Sequence, residues 1–424
     1  MSLNANKFVL KNGLRVLVIP QKESPSVTVG IFVEAGAAYE NRQNNGLSHF
    51  LEHMCFKGTQ TRPRPMDISS EMESLGASYN AFTSRDLTGY WAKVAYTKLD
   101  KIFDILADMY LNPVFNEKEI EKEKGVIVEE INMYEDQPRT KVSETLDALM
   151  YGNQPAGWSI AGPKENIRKI DRNDFLKYRS AHYHGAKTVV VIAGRIDSKK
   201  AKALVEKYFS KIKKDKKIAP VKTSESQKSS ALALVKRDLD QTHFILGLKA
   251  FSSSSPKKYP LVLLSEILGG GMSSRLFQKI REELGAAYYV GSSPSLFLTH
   301  GYLEIFAGVN HQKSIVAIKA VLEELRKILK KGVEIKELKR VKDHFLGTFL
   351  LSLETSSDLA FFYGEQETVL GKIQSPENVI KKISLVTQKD IQKIAKEVFD
   401  NRKLNLAVIG PYENGSDFKK ILKI

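Results

Sequence analysis

A single cysteine, Cys55, stands in a chain of 424 residues. It excludes an intrachain disulfide and leaves too few thiolates for a sulfur-based metal cluster, so a reducing, cytoplasmic setting is expected. Long apolar runs are equally scarce. No window approaches the roughly 20 apolar residues of a membrane span, and the opening MSLNANKFVLKNGLRVLVIP holds no apolar stretch of the kind a secretory signal carries. Neither a membrane nor export is expected. Acidic residues are in deficit, 49 against 65 Lys and Arg, giving a formal charge of +16. Such an excess raises the question of a polyanionic partner. The lysines are densest from Lys199 to Lys217, around KIKKDKK, with little aromatic interleaving and no zinc-finger or aromatic RNA-binding pattern. A solvated basic surface accounts for them, and no nucleic acid is expected.

The remainder is ordinary for a globular protein, with 42% hydrophobic and 27% charged residues in a length that accommodates two or three cores. Histidine is rare, at 8 residues, which makes its placement informative. Asn45 to Lys57 reads NGLSHFLEHMCFK and contains His49-Phe50-Leu51-Glu52-His53, an H-x-x-E-H pattern. At the helical period, Leu47, Phe50, Leu51 and Met54 share one stripe while His49, Glu52 and His53 share the opposite face. Two imidazoles one turn apart can grip a Zn2+, with a glutamate beside them to handle the proton of a water. The alternative is an ordinary amphipathic helix with a polar solvated face.

Strand patterns at Leu14–Ile19 and Val27–Val33 precede this helix, and strands at Ser78–Thr83 and Thr88–Ala95 follow it. Helices are expected at Lys98–Tyr110, Glu117–Glu135, Lys141–Met150 and Asn173–Ser180, then a strand at Thr188–Gly194. The second half repeats the plan. Leu75-Gly76-Ala77-Ser78-Tyr79 returns as Leu284-Gly285-Ala286-Ala287-Tyr288, and VVIAG at Val190 returns as LAVIG at Leu406. The expected fold class is therefore α+β, with two homologous domains of about 200 residues, each a mainly antiparallel sheet packed with helices. Residues 1–210 form the first domain, 211–230 a Lys/Ser-rich linker and 231–424 the second. The duplicate carries no histidine in its matching helix, Pro260 to Leu268, and its counterpart of Glu130 falls near Thr348.

A catalytic zinc site needs a third protein ligand. In the helix from Glu117, the apolar stripe is Ile120, Ile127, Ile131 and Tyr134; Glu123 and Glu130 border it, while Glu121 and Glu129 point away. Helical geometry prefers Glu130, with Glu123 as a second carboxylate on the same side. Elsewhere, Gly269-Gly270-Gly271 lacks the lysine of a phosphate-binding loop and reads as the end of a helix. His182 and His184 flank Tyr183 just before a strand, with alternate side chains on one face, a spacing that also permits a metal.

With these residues in place, the chain resembles the pitrilysin/insulinase family of zinc metallopeptidases, in its half-length, processing-peptidase-like branch. That family places a glutamate ligand about 76 residues beyond its H-x-x-E-H, and 76 residues lie between His53 and Glu130. The resemblance covers essentially the whole chain. It implies one zinc per chain on His49, His53 and Glu130, Glu52 as general base, and Glu123 as the acid that orients a ligand. It implies that Asn80 and Ala81 lie on an edge strand that pairs with the substrate backbone. It implies that Arg281 and Tyr288 hold the substrate carbonyl and stabilise its oxyanion. The substrate would be an unfolded peptide in a closed chamber, formed by a homodimer in which Arg281 and Tyr288 serve the partner's zinc. The basic balance departs from relatives that take basic presequences and points to neutral or acidic peptides if the lysines line the chamber. The alternative function is a non-catalytic peptide-binding or scaffold subunit of the same fold.

Overall fold

In the computed structural model, which describes residues 5–424, the apolar stretches form two sheets. The first contains β1 (Asn6–Val9), β2 (Arg15–Pro20), β3 (Ser26–Val33), β4 (Ser78–Thr83), β5 (Thr88–Ala95) and β6 (Thr188–Gly194), in the order β1-β2-β6-β3-β5-β4. The second contains β7 (Ala231–Lys236), β8 (Thr242–Lys249), β9 (Ala287–Leu296), β10 (Gly301–Val309) and β11 (Leu404–Gly410), in the order β7-β11-β8-β10-β9. Once β1 is set aside, the two orders correspond strand for strand. In each sheet one pair is parallel, β2 with β6 and β7 with β11, and the others are antiparallel. The α+β class and the internal duplication are both present. β6 and β11 are buried along their whole length, as central strands covered on two faces must be, which is why they read as unbroken apolar runs.

Compactness divides the chain differently from the repeat. One unit comprises Met1–Ile131, Ser159–Val221 and Leu350–Pro376; the other comprises Asn132–Trp158, Lys222–Phe349 and Glu377–Ile424. Two equivalent helices are exchanged. Pro138–Tyr151, from the first repeat, buries Val142, Leu146 and Met150 with Ile245, Ala407 and Ile409 on the second sheet. Ser356–Leu370, from the second repeat, lies on β3 and β6 of the first sheet. There Phe361 meets Phe32 and Trp91 edge-on, at ring distances of 5.8 and 5.6 Å. The contiguous division at 210 and 231 therefore marks the repeat and not the packed unit. Each helix's apolar stripe finds its complement on the sheet of the other repeat.

Glycine makes room for both contacts, from opposite sides. On the first sheet the helix supplies it: a Cβ on Gly364 would lie 2.4 Å from Phe32 Cε2. On the second the strand supplies it, where a Cβ on Gly247 would lie 2.9 Å from both Leu146 methyls. Residues 213–228 form neither helix nor strand, yet part of this segment is tied to the first unit. The Lys217 ammonium bonds Glu34 at 2.6 Å, and the Val221 N–H donates to the Ala38 carbonyl at 2.9 Å.

Candidate active site

The H-x-x-E-H pattern lies on a helix, Leu47–Met54, as its period demands. Its first turn has no Ser, Thr, Asp or Asn cap. Glu40 supplies that function from a distance: Oε2 accepts from the Gly46 N–H at 2.9 Å and Oε1 from the Ser48 N–H at 2.7 Å. Carboxylates are favoured at helix N-termini, where the backbone donors are free and the helix dipole is positive. Burial pushes the Glu40 carboxyl upward, against the pull of these bonds. The apolar stripe sets the helix on its support, with Phe50 edge-on to Phe175 at 4.9 Å and Ser48 bonded to the Tyr178 hydroxyl at 2.6 Å. The opposite face is not solvated, since His49 and Glu52 are each only 9% exposed. This excludes the ordinary amphipathic helix, whose polar face would lie in water.

The helix Glu117–Asp136 brings the third donor. It buries Ile120, Glu123, Ile127 and Ile131, so both carboxylates bordering that stripe face inward while Glu121 and Glu129 are exposed. Glu130 Oε2 lies 3.6 Å from His49 Nε2 and 3.6 Å from His53 Nε2. One ligating atom from each of the three residues lies within 4.8 Å of the others. These separations exceed a hydrogen bond and approach the roughly 3.3 Å edge of a tetrahedron with zinc–ligand bonds near 2.0–2.1 Å.

Glu123 orients one of the imidazoles. It accepts from His53 Nδ1 at 2.9 Å, which turns the Nε2 lone pair toward Glu130, and its other oxygen takes the Lys57 ammonium at 2.7 Å. Burial of Glu123 is outweighed by these two bonds, which hold its carboxyl below the usual range. Burial also works against a charge on His53, but the bond to Glu123 and the carboxylates of Glu52 and Glu130 outweigh it and raise the pKa. His49 is different. Burial, with the neighbouring His53, lowers it to about 4, leaving a neutral imidazole suited to bind a metal.

Glu52 faces the same space from the helix. Its Oε2 accepts from Thr83 Oγ1 at 2.5 Å, leaving Oε1 for another partner, and burial raises its pKa. Thr83 ends β4, an edge strand of the first sheet, on which Asn80 and Ala81 sit opposite Trp91 and Tyr90. Asn80 is exposed, and its side-chain oxygen accepts the Ala81 N–H at 2.9 Å. Arg281 and Tyr288 belong to the second unit. Arg281 is exposed on a π-helical turn, Phe277–Glu283, over the Phe277 ring, and Tyr288 is 73% exposed at the start of β9, an edge strand of the second sheet. The structure thus gathers His49, Glu52, His53, Glu123 and Glu130, and sets Asn80 and Ala81 on the strand anchored to Glu52. Sequence reasoning did not identify Glu40, Lys57 or Thr83. Lys57 was within view, four residues beyond His53, but nothing local marked it as a partner for Glu123.

Residues 15–164 match the family described as Insulinase (Peptidase family M16), and residues 169–345 match Peptidase M16 inactive domain. A Bacillus subtilis protein named uncharacterized zinc protease YmxG is 33% identical over 96% of this chain and 98% of its own length. The chain belongs to the M16, or insulinase, peptidase family. A Rickettsia felis protein, also named an uncharacterized zinc protease, is 34% identical over 97% of this chain and 98% of its own. The crystal structure of a protease from Helicobacter pylori shares the fold of this M16 chain with a TM-score of 0.91, at 24% identity over 96% of this chain and 99% of that one. His49, Glu52, His53 and Glu130 all fall in the first matched segment, outside the one described as inactive.

Zinc fits the donors present. Two imidazole Nε2 atoms and one carboxylate oxygen converge without bonding to one another, and His53 is held by a carboxylate behind it, the arrangement typical of zinc ligands. No helix among the described residues is long and apolar enough to cross a membrane.

Proposed function

We propose that this M16 chain is a zinc-dependent endopeptidase acting on unfolded peptides, with one zinc per chain held by His49, His53 and Glu130. The supporting observation is the convergence of those three donors beside a buried glutamate whose second oxygen is uncommitted. Zinc bound there supplies Lewis-acid polarisation of a carbonyl and acidifies water. The chain's own residues do the rest. The edge of β4 at Asn80 and Ala81 takes an extended peptide as a further strand, the peptide carbonyl replacing the Asn80 side-chain oxygen on the Ala81 N–H. Thr83 fixes Glu52 Oε2, so Oε1 takes the proton as water attacks the scissile carbonyl. Glu52 then returns that proton to the departing amine as the C–N bond breaks. Burial raises its pKa, favouring uptake of that proton.

Arg281 and Tyr288 complete the reading as donors for the oxyanion. A guanidinium and a phenol suit that charge, and both side chains are exposed in the second unit. We place them against the zinc of a second copy, in a homodimer closed around a chamber that admits unfolded chains. The scarcity of cysteine supports a cytoplasmic setting.

The test is cleavage of a quenched-fluorescent unstructured peptide by wild type and Glu52→Gln. Loss of at least a hundredfold in rate with zinc retained supports Glu52 as base. Undiminished cleavage by the variant overturns the mechanism. No cleavage by wild type across a varied peptide set favours the non-catalytic scaffold.

A further inference from the structure

Tyr288 stands where β9 departs from regular pairing. From Leu296 opposite Gly301 to Tyr289 opposite Gly308, β9 and β10 match one residue to one. The next pair is Ala287 with Val309, so Tyr288 has no residue opposite it. An extra residue of this kind is a β-bulge, which interrupts the ladder, breaks the alternation of faces and re-aims a side chain. Arg281, the other proposed oxyanion donor, also sits on irregular backbone, the π-helical turn Phe277–Glu283. Such departures recur at functional sites.

The residue after the bulge is held from three sides. His243 on β8, Gly308 on β10 and Tyr289 on β9 lie in one row across the sheet. The glycine in the middle leaves a seat for the Tyr289 ring, since a Cβ on Gly308 would lie 2.3 Å from its Cε1. The Tyr289 hydroxyl reaches over that glycine and is hydrogen-bonded to His243 Nδ1 at 2.8 Å. Arg139, in the first turn of the exchanged helix Pro138–Tyr151, covers the ring with its guanidinium carbon 3.7 Å from the centroid. Arg139 is itself exposed, so a packed core does not force this stack.

We propose that Arg139, His243 and Tyr289 are positioning residues for Tyr288. By fixing the residue that follows the bulge, they keep the exposed phenol where a developing oxyanion can meet it. The inference rests on the proposed role of Tyr288 as an oxyanion donor, and donors stabilise such a charge only when they are held in place beforehand. It also gives the helix exchange a consequence. Arg139 comes from the repeat that carries His49, His53 and Glu130, yet it steadies a donor of the other repeat.

Two mild substitutions test this. Arg139→Met keeps the stem and removes the guanidinium, and Tyr289→Phe keeps the ring and removes the hydroxyl; both should melt close to wild type. The first readout needs no activity. With 3-fluorotyrosine in place of Tyr288, fluorine NMR should give one resonance in the otherwise unaltered chain and a shifted or split one in each variant. The second is kcat on the quenched-fluorescent peptide with zinc retained. Each variant should lose about tenfold in kcat with KM little changed. Neither should lose more when combined with Tyr288→Phe, because the group they position is then already absent. Losses that multiply in the combined variants would assign Arg139 and Tyr289 to general folding and overturn the proposal, as would a fluorine resonance that neither variant moves. Wild-type cleavage by Tyr288→Phe would overturn the oxyanion reading instead, and the fluorine result would still decide whether these residues fix Tyr288.

Discussion

The carboxylate of Glu123 accepts a hydrogen bond from His53 Nδ1 at 2.9 Å while its second oxygen holds Lys57 at 2.7 Å. Glu123 therefore ties the imidazole of a proposed zinc ligand to a cation on the chain just past the helix. Such outer contacts fix the ligand's tautomer and strengthen its donor nitrogen. Glu123→Ala should lower zinc affinity about 10- to 100-fold in a chelator-competition titration. Lys57→Met should lower it less, because His53 keeps its acceptor. Equal affinity in wild type and Glu123→Ala would show that His53 needs no such support.

Thr83 anchors one oxygen of Glu52, and its methyl-for-hydroxyl replacement separates positioning from metal binding. Thr83→Val should reduce kcat roughly tenfold, a fraction of the 10²–10⁴ that general-base catalysis contributes, with zinc content unchanged. A change confined to KM would assign Thr83 to peptide binding along β4.

The proposed homodimer makes a prediction that rate constants of single variants do not. Glu52→Gln and a chain carrying both Arg281→Ala and Tyr288→Phe should each be nearly inactive. Mixing them should restore activity if the pair serves the partner's zinc, since one of the two sites then has every group intact. No recovery after subunit exchange, verified by tagged co-purification, would place the pair on its own chain's site or remove it from catalysis.

Glu304 on β10 gives a pH dependence to stability. Burial, then the neighbouring Asp147 carboxylate, raise it from 4.5 to about 7, with Ser295 pulling weakly the other way. The folded state holds the proton more tightly than the unfolded chain, so stability falls as pH rises from about 4.5 to about 7 and then levels. The loss is on the order of 3 kcal/mol. Glu304→Gln should flatten that window and melt higher than wild type at pH 8. Parallel melting curves for the two proteins from pH 5 to pH 8 would refute this assignment.

The exchanged helices predict opposite packing effects. Gly364→Ala forces a methyl against the Phe32 ring, 2.4 Å away, and should cost about 1–3 kcal/mol despite alanine's better helix propensity. Leu146→Ala empties the space over Gly247 and should cost about 2–5 kcal/mol. Denaturant midpoints measure both, and a stabilised Gly364→Ala would mean that Phe32 moves freely.

The amino-acid sequence by itself determined what depends on local period. His49, Glu52 and His53 share a helix face because i, i+3 and i+4 always do. Glu130 was preferred over Glu129 because only one of two adjacent carboxylates can border the stripe of Ile127 and Ile131. The duplication was legible because equivalent strands kept equivalent apolar runs, such as VVIAG and LAVIG. Tertiary structure alone decided the contacts that no period encodes. Glu40 caps the H-x-x-E-H helix from beyond its first turn, and Thr83 reaches Glu52 from a strand 31 residues away. The stripe Val142, Leu146 and Met150 announced a buried face but not which sheet would cover it, and it packs on the sheet of the other repeat. A hydrophobic pattern specifies that a surface is removed from water. Which surface removes it follows from shape, and here from a glycine on the facing strand, Gly247 beneath Leu146.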